Sequence, residues 1–414
     1  MKNIIPKKCI TLFAISLLVF GAAGCTNQSA ASPVPADSVS ESSSVEKKQE
    51  TENTAAENHK SGDMTADSFA STFYNTTDTA HFFRSLDGQT RILDFETMEN
   101  VLLCNKPNCN HKSNDCIVNR LNGNVPMFSG TDTYYFIDDY PRIQEGDDGK
   151  PFLKLGSTLY RYDLTSSREE KLLYIEGVSV SDNCYGWLLH DGVIYFIGNH
   201  YSPEYDENGI LTFYGNTGGK MELNAVDLST MEIKQYGELY DLETLAQYYP
   251  NVKNSGEVYM AGVFDEKLYF NVGFAHSIES GYSFYVTWFD LNSKTYHGEP
   301  QDYTNIDYCS ADFVSRDYLV ITREGQADIY KAGREQTVTI KDDSISPWSF
   351  LSVFDDTLFL CEKAFDLNTK ESKIIDLLKE KAVVAKYDDS YVISYINKQQ
   401  DFEKIPASQL LNGK

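Results

Sequence analysis

Short apolar runs alternate with polar turns along most of the 414 residues. In residues 188–199, LLHDGVIYFIGN, the turn His190-Asp191-Gly192 separates two runs of Leu, Ile, Tyr and Phe. After a gap come residues 222–227, ELNAVD, and a polar run reaching Tyr236 and Leu239. Apolar runs of this length between Asp/Gly turns predict strands, and their succession predicts one antiparallel meander.

The same grammar returns along the chain. A first unit holds residues 68–74, 81–84, 89–94 and 101–103; a second holds 133–137, 159–164 and 171–175. The stretch 188–239 is the third, 267–272 with 285–291 the fourth, and 318–322 with 327–330 the fifth. Residues 357–361 with 364–367 make the sixth, and 390–396 the seventh. Two features recur: an Asp or Gly directly before the strand, and a run closing on Asp-Leu, at Asp163-Leu164, Asp227-Leu228, Asp290-Leu291 and Asp366-Leu367. Unit spacing falls from roughly 60–75 residues to roughly 35, around the ~40–50 typical of propeller blades. Short strands without βαβ alternation predict an all-β fold, a β-propeller of four-stranded antiparallel blades. Seven units predict seven blades; six or eight fit if one unit is merged or split. A closed ring avoids an open sheet edge, and residues 68–74 are expected to complete the last blade beside 401–405. Three insertions interrupt the repeat, at 138–156, 200–220 and 241–249; the last, DLETLAQYY, reads as a short helix with Asp241 as N-cap and Pro250 as stop.

The N-terminus differs in kind. Lys2, Lys7 and Lys8 precede an apolar run over residues 10–20, about half the ~20 residues a membrane-spanning helix needs, so it reads as a cleaved signal. Ala22-Ala23-Gly24-Cys25 resembles a bacterial lipobox, which implies that Cys25 is diacylglycerated and begins the mature chain; two acyl chains anchor stably where one does not. The alternative is plain secretion with cleavage near Ala23. Residues 25–66 are rich in Ser, Ala, Glu, Gln and Pro and contain no aromatic residue, the composition of a disordered tether reaching roughly 35 Å. The domains are thus a signal peptide at 1–24, a tether at 25–66 and a propeller at 67–414. The expected location is the extracytoplasmic face of the cell membrane.

Formal net charge is −25, and about −28 without the three signal lysines. That sign opposes nucleic-acid binding. It also keeps the protein soluble. Signatures of a nucleophile elbow, a zincin helix, a P-loop, a dinucleotide fold and haem attachment are absent. Glu204-x-Asp206-x-Asn208-Gly209 resembles the start of a calcium loop, but its twelfth position is Gly215 instead of the bidentate Glu. Trp187, Trp288 and Trp348 suit core packing or a sugar platform, and Cys184, Cys309 and Cys361 read as buried small hydrophobes.

The densest constellation is Cys104, Cys109, His111 and Cys116. Three thiols and an imidazole form a closed tetrahedral zinc set with no open position, hence a stabilising role. The loop is polar and lacks a core of its own, so it needs a crosslink to hold shape. The C-x4-C-x-H-x4-C spacing is not a usual finger spacing. A disulfide between two of the thiols is the alternative; export favours it, but it strands one Cys unless a distant one such as Cys184 pairs with it. The run LCNKPNCNH followed by Cys116, taken with the lipobox and the repeats, resembles TolB-like propeller lipoproteins of Firmicutes. That resemblance implies a cell-surface propeller, suggests an anaerobic source that would weaken the disulfide, and implies no established activity.

The functional expectation is a membrane-anchored propeller that binds a protein, peptide or glycan at the cell envelope. The first alternative is a glycoside hydrolase or lyase using paired carboxylates in the channel, although among 61 acidic residues no pair can be nominated. The second is a structural role in envelope assembly.

Overall fold

The computed structural model describes residues 68–412, apart from 71–73, 78, 86–88, 105, 107, 113–115, 122–126, 130–132, 139–141, 146–150, 155, 177, 180–183, 186, 206–210, 241–256, 278–280, 298–308, 335, 348 and 396–397. The signal, Cys25, the tether, Trp348 and the expected helix at 241–249 lie outside the described residues.

Seven antiparallel sheets form a seven-bladed β-propeller. Blade 1 runs Tyr74–Thr76, Ala80–Arg84, Thr90–Asp94, Asn100–Leu102 from axis to rim. Blade 2 runs Met127–Ser129, Thr133–Asp138, Gly156–Asp163, Arg168–Glu176, and blade 3 runs Trp187–His190, Val193–Tyr205, Leu211–Asp227, Ile233–Tyr240. Blade 4 is Glu257–Phe264, Lys267–Ser277, Gly281–Asp290, Thr295–His297; blade 5 is Cys309–Val314, Tyr318–Arg323, Gln326–Lys331, Val338–Lys341. Blade 6 is Leu351–Phe354, Thr357–Leu360, Lys363–Asp366, Ser372–Ile374, and blade 7 has three strands, Lys381–Tyr387, Ser390–Tyr395, Lys398–Pro406. First strands of successive blades lie side by side from blade 2 to blade 7 and so line the axis.

Both sequence signatures have a structural cause. The residues before the second strands form two-residue turns with positive φ: Asp191 and Gly192 at 45° and 73°, Asp265 and Glu266 at 50° and 55°, Asp355 and Asp356 at 50° and 58°. Such turns match the right-handed twist of the strands they join. The Asp of each Asp-Leu pair caps the turn into the rim strand. Its Oδ1 accepts the backbone N–H of Ser166, Ser229, Ser293 or Thr369 at 2.6–3.0 Å, and Asp94 does the same with Thr97. Four residues after each Asp the backbone is left-handed, at Met98, Ser167, Met231, Lys294 and Lys370. The N–H bonds hold Asp94, Asp163 and Asp290 below the usual carboxylate range, and for Asp227 the Ser229 hydroxyl does so together with the Ser229 N–H. The following residue ties the two turns of a blade together, as Leu228 N–H bonds to Gly192 O, Leu291 to Glu266 O and Leu367 to Asp356 O. Its side chain plugs the seam with a neighbouring blade.

The core is divided into seven apolar clusters, one for each pair of neighbouring blades. The ring is therefore closed by side-chain packing. Between blades 7 and 1, Ala385 and Val392 pack on Phe83, Leu93 and Phe95. Phe402 meets Phe83 edge-on at 4.9 Å between centroids, and Lys404 Nζ donates to the carbonyls of Phe95 and Glu96.

The expected exchange of strands at closure does not form. Ser68–Ala70 pairs with Trp187–His190 of blade 3, not with residues 401–405. Blade 1 already holds its own first strand, Tyr74–Thr76, and blade 7 continues into the helix Ala407–Asn412, whose Leu410 is buried in the seam with blade 6. Ser68–Ala70 adds to the axis-side edge of blade 3 and also lies beside the first strands of blades 1, 2 and 4. Cys184–Tyr185 adds to the axis-side edge of blade 4, there as a parallel strand.

The two ends of the ring differ. Turns between first and second, and third and fourth, strands are short and share one end. The hairpins between second and third strands open on the other. There blade 2 carries an extra ribbon, Arg142–Glu145 with Pro151–Lys154, and blades 3 and 4 carry long hairpins, paired out to Tyr205 and Leu211 and to Ser277 and Gly281. The register Ser68 opposite Leu189 and Ala70 opposite Trp187 brings the N-terminal strand in from the short-turn end.

Candidate metal centre

Residues 103–126 connect the rim strand of blade 1 to the axis strand of blade 2, and so open on the long-hairpin end. Cys104 follows Asn100–Leu102 after one residue, its N–H bonded to Leu102 O at 2.7 Å. Cys109 N–H bonds to Lys106 O, and Asn108 and His111 take left-handed φ of 60° and 55°. These reversals fold the loop back on itself. Asn119 Nδ2 then holds the His111 carbonyl at 3.0 Å, and Cys116 begins the short helix Ile117–Arg120.

The result is convergence of all four side chains named from sequence. Three sulfurs and one imidazole nitrogen lie within 4.8 Å of one another. A tetrahedral ion with ~2.3 Å sulfur and ~2.0 Å nitrogen bonds would hold them just under ~4 Å apart, so a small contraction closes the cage. Cys116 Sγ lies 3.5 Å from His111 Nδ1. The three sulfurs are free thiols. Burial pushes the Cys116 thiol up to about 12, while the backbone N–H of His111 holds Cys109 below its ordinary value. A cation beside Cys116 would favour its thiolate. The group could hold a metal ion; its donors are soft sulfur and imidazole.

The loop is not as polar as its sequence suggests. Leu103, Cys116, Ile117, Val118 and Leu121 are fully buried, in one cluster with Ala80 and Phe82 of blade 1 and Phe136, Tyr160 and Tyr162 of blade 2. The apolar run Cys-Ile-Val after a polar stretch was the signal for this wedge.

The other candidates serve packing or fall elsewhere. Trp187 is buried between blades 2 and 3, and Trp288 packs against the seam of blades 4 and 5. Cys309 is buried, but Cys361 is only half-buried, on a turn with φ 48°; the side chain of Cys184 is not described. Glu204 and Gly215 stand in opposite strands of the blade 3 hairpin, pairing with Phe213 and Ser202; among the described residues no helix flanks them. A cavity of about 310 Å³ on blade 2 is lined by Thr133, Arg161, Asp163, Ser166, Arg168 and Glu170. Arg161 pairs with Glu170 at 2.5 Å and Asp163 caps its turn, so both acids of the lining have structural partners. Among the described residues no helix is long and apolar enough to cross a membrane.

No protein-family model matches this chain, and no curated protein does. Solved structures similar to it include an oligogalacturonate lyase in complex with manganese, 13% identical over 80% of this chain and 86% of that one, with a TM-score of 0.36. A chain of a nidogen/laminin complex is 10% identical over 83% and 95%, with a TM-score of 0.29. A prolyl endopeptidase is 12% identical, with a TM-score of 0.32; 80% of this chain aligns with 54% of that one. Likenesses this distant bring no substrate, metal or partner to the present chain.

Proposed function

We propose that this chain is a lipid-anchored extracytoplasmic β-propeller that binds a protein, peptide or glycan at the cell envelope, and that Cys104, Cys109, His111 and Cys116 hold one structural zinc. The observation that carries the binding reading is the asymmetry of the ring. The described insertions of blades 2, 3 and 4 all open on one end, and the N-terminal strand enters from the other. Loops gathered on one end of a rigid ring are where such folds bind partners. The channel-enzyme reading is less well supported, because two added strands, Ser68–Ala70 and Cys184–Tyr185, line the axis side of blades 3 and 4, where its carboxylates would stand.

The test compares three full-length chains for retention on isolated cell envelopes: wild type, Cys25→Ser, and Cys25→Ser with residues 200–220 replaced by Asn-Gly. Cys25→Ser is expected in the medium instead of the membrane fraction. Added back, it should bind envelopes saturably, and the shortened hairpin should weaken that binding by about tenfold, a loss of ~1.4 kcal/mol. Cys25→Ser remaining wholly in the membrane defeats the anchor; equal binding of the two soluble chains defeats the hairpin face.

A further inference from the structure

We infer that the Cys104, Cys109, His111 and Cys116 site clamps the seam between blades 1 and 2, so that metal loading governs the stability of the whole ring. This rests on the zinc reading above and adds what the ion does.

Among the described residues, the seam between blades 1 and 2 draws on its connection more than any other seam does. Half of its ten buried residues, Leu103, Cys116, Ile117, Val118 and Leu121, belong to the connection between the blades and not to their strands. Among the described residues the remaining seams draw chiefly on strand residues; the seam of blades 6 and 7 comes nearest, with Ile375 and Leu378 from the connection and Leu410 from the C-terminal helix among its nine buried residues. The wedge at this seam has little structure of its own. Its helix is four residues long, far below the length at which an isolated helix is stable in water. What can hold the wedge is the ligand set. Cys104 fixes the loop where it leaves the rim strand of blade 1, Cys109 and His111 fix its reversal, and Cys116 is at once a ligand and a core residue. Cys104 and Cys109 also pack against the cluster. Binding at such a site is coupled to folding of the segment that supplies it.

Blade 1 has one other blade seam to retain it. On its other side the seam with blade 7 contains five buried residues, with no strand shared between the two blades. If the wedge melts, blade 1 loses half the buried side chains of one seam, and a ring opened at one seam exposes the next.

The experiment uses the full chain purified without a histidine tag. Zinc content, melting temperature and amide exchange are measured before and after removal of metal with a chelator, and again after zinc is restored. The clamp predicts one zinc per chain, a fall in Tm of about 10 °C or more on removal, recovery on reloading, and faster exchange in Ala80–Arg84, Thr133–Asp138 and Gly156–Asp163 as well as in the loop. His111→Cys, which keeps four soft ligands, should retain both zinc and Tm. Cys104→Ser and Cys109→Ser should lose both, and the double variant should be no worse than either single one, since the ligands act as a unit. Zinc bound one to one, with a Tm change under about 2 °C on removal and faster exchange confined to residues 103–121, overturns the clamp and leaves the zinc reading standing. Absence of bound metal overturns both.

Discussion

Deletion of residues 388–414 unfolds the entire propeller instead of removing one blade. The deletion takes away two of the three strands of blade 7 and the helix Ala407–Asn412. With them go Tyr391, Val392, Ile393, Ile405 and Leu410, all buried in the seams with blades 6 and 1. Truncating even one large buried side chain costs about 2–5 kcal/mol, and the whole stability of a domain is about 5–15 kcal/mol. Phe359, Phe83 and Phe95 would be left facing water. The deleted chain is expected to be insoluble or to lack a cooperative melting transition by circular dichroism. A soluble product that melts cooperatively near the parent temperature would show that blade 7 is an appendage and not a closing element.

The second large effect is acid sensitivity at the same seam. His81 is buried, its Nδ1 2.8 Å from Thr76 Oγ1, its ring stacked on Phe83 and meeting Phe402 edge-on. Burial lowers its pKa from 6.5 to about 4. The folded value lies below the unfolded one, so the unfolded chain takes up the proton first. The stability associated with neutral His81 is fully present above pH 6.5 and is lost as the pH falls from 6.5 through about 4. By pH 4.5 the loss is about 2–3 kcal/mol. Urea midpoints measured from pH 7 to 4.5 should fall more steeply for the parent than for His81→Phe, which keeps the ring contacts and has no proton to gain. Parallel slopes for the two chains would rule out His81 as the titrating group.

Much of the fold is legible in the residues, and the reasons divide clearly. Strands read well because alternating Tyr, Phe, Ile and Leu between Asp/Gly turns have few other uses. The Asp-Leu pairs were visible as a repeat, although not that the carboxylate caps a turn while the Leu N–H ties it to its neighbour. Seven units became seven blades because each second and third strand left its own mark. First strands such as Leu351–Phe354 and rim strands such as Ser372–Ile374 have no Asp or Gly directly before them and do not themselves close on Asp-Leu, the features that mark the strands between them. Ring closure was misassigned for a related reason. Ser68-Phe69-Ala70 carries no feature that selects an axis-side edge of blade 3 over the rim of blade 7, and strand pairing depends on the surrounding surface. The candidate metal centre was legible through the density of its donors. Its burial was not, because Ile117, Val118 and Leu121 form a core only once blades 1 and 2 stand on either side.

The most direct test of the metal centre, on which the seam clamp depends, is X-ray absorption at the zinc edge on the full chain. One ion per chain is expected, with three sulfur neighbours at ~2.3 Å and one imidazole nitrogen at ~2.0 Å. His111→Cys should shift the set to four sulfurs. A shell made only of oxygen and nitrogen, or a chain free of metal with two of the three thiols unreactive until reduced, would contradict it.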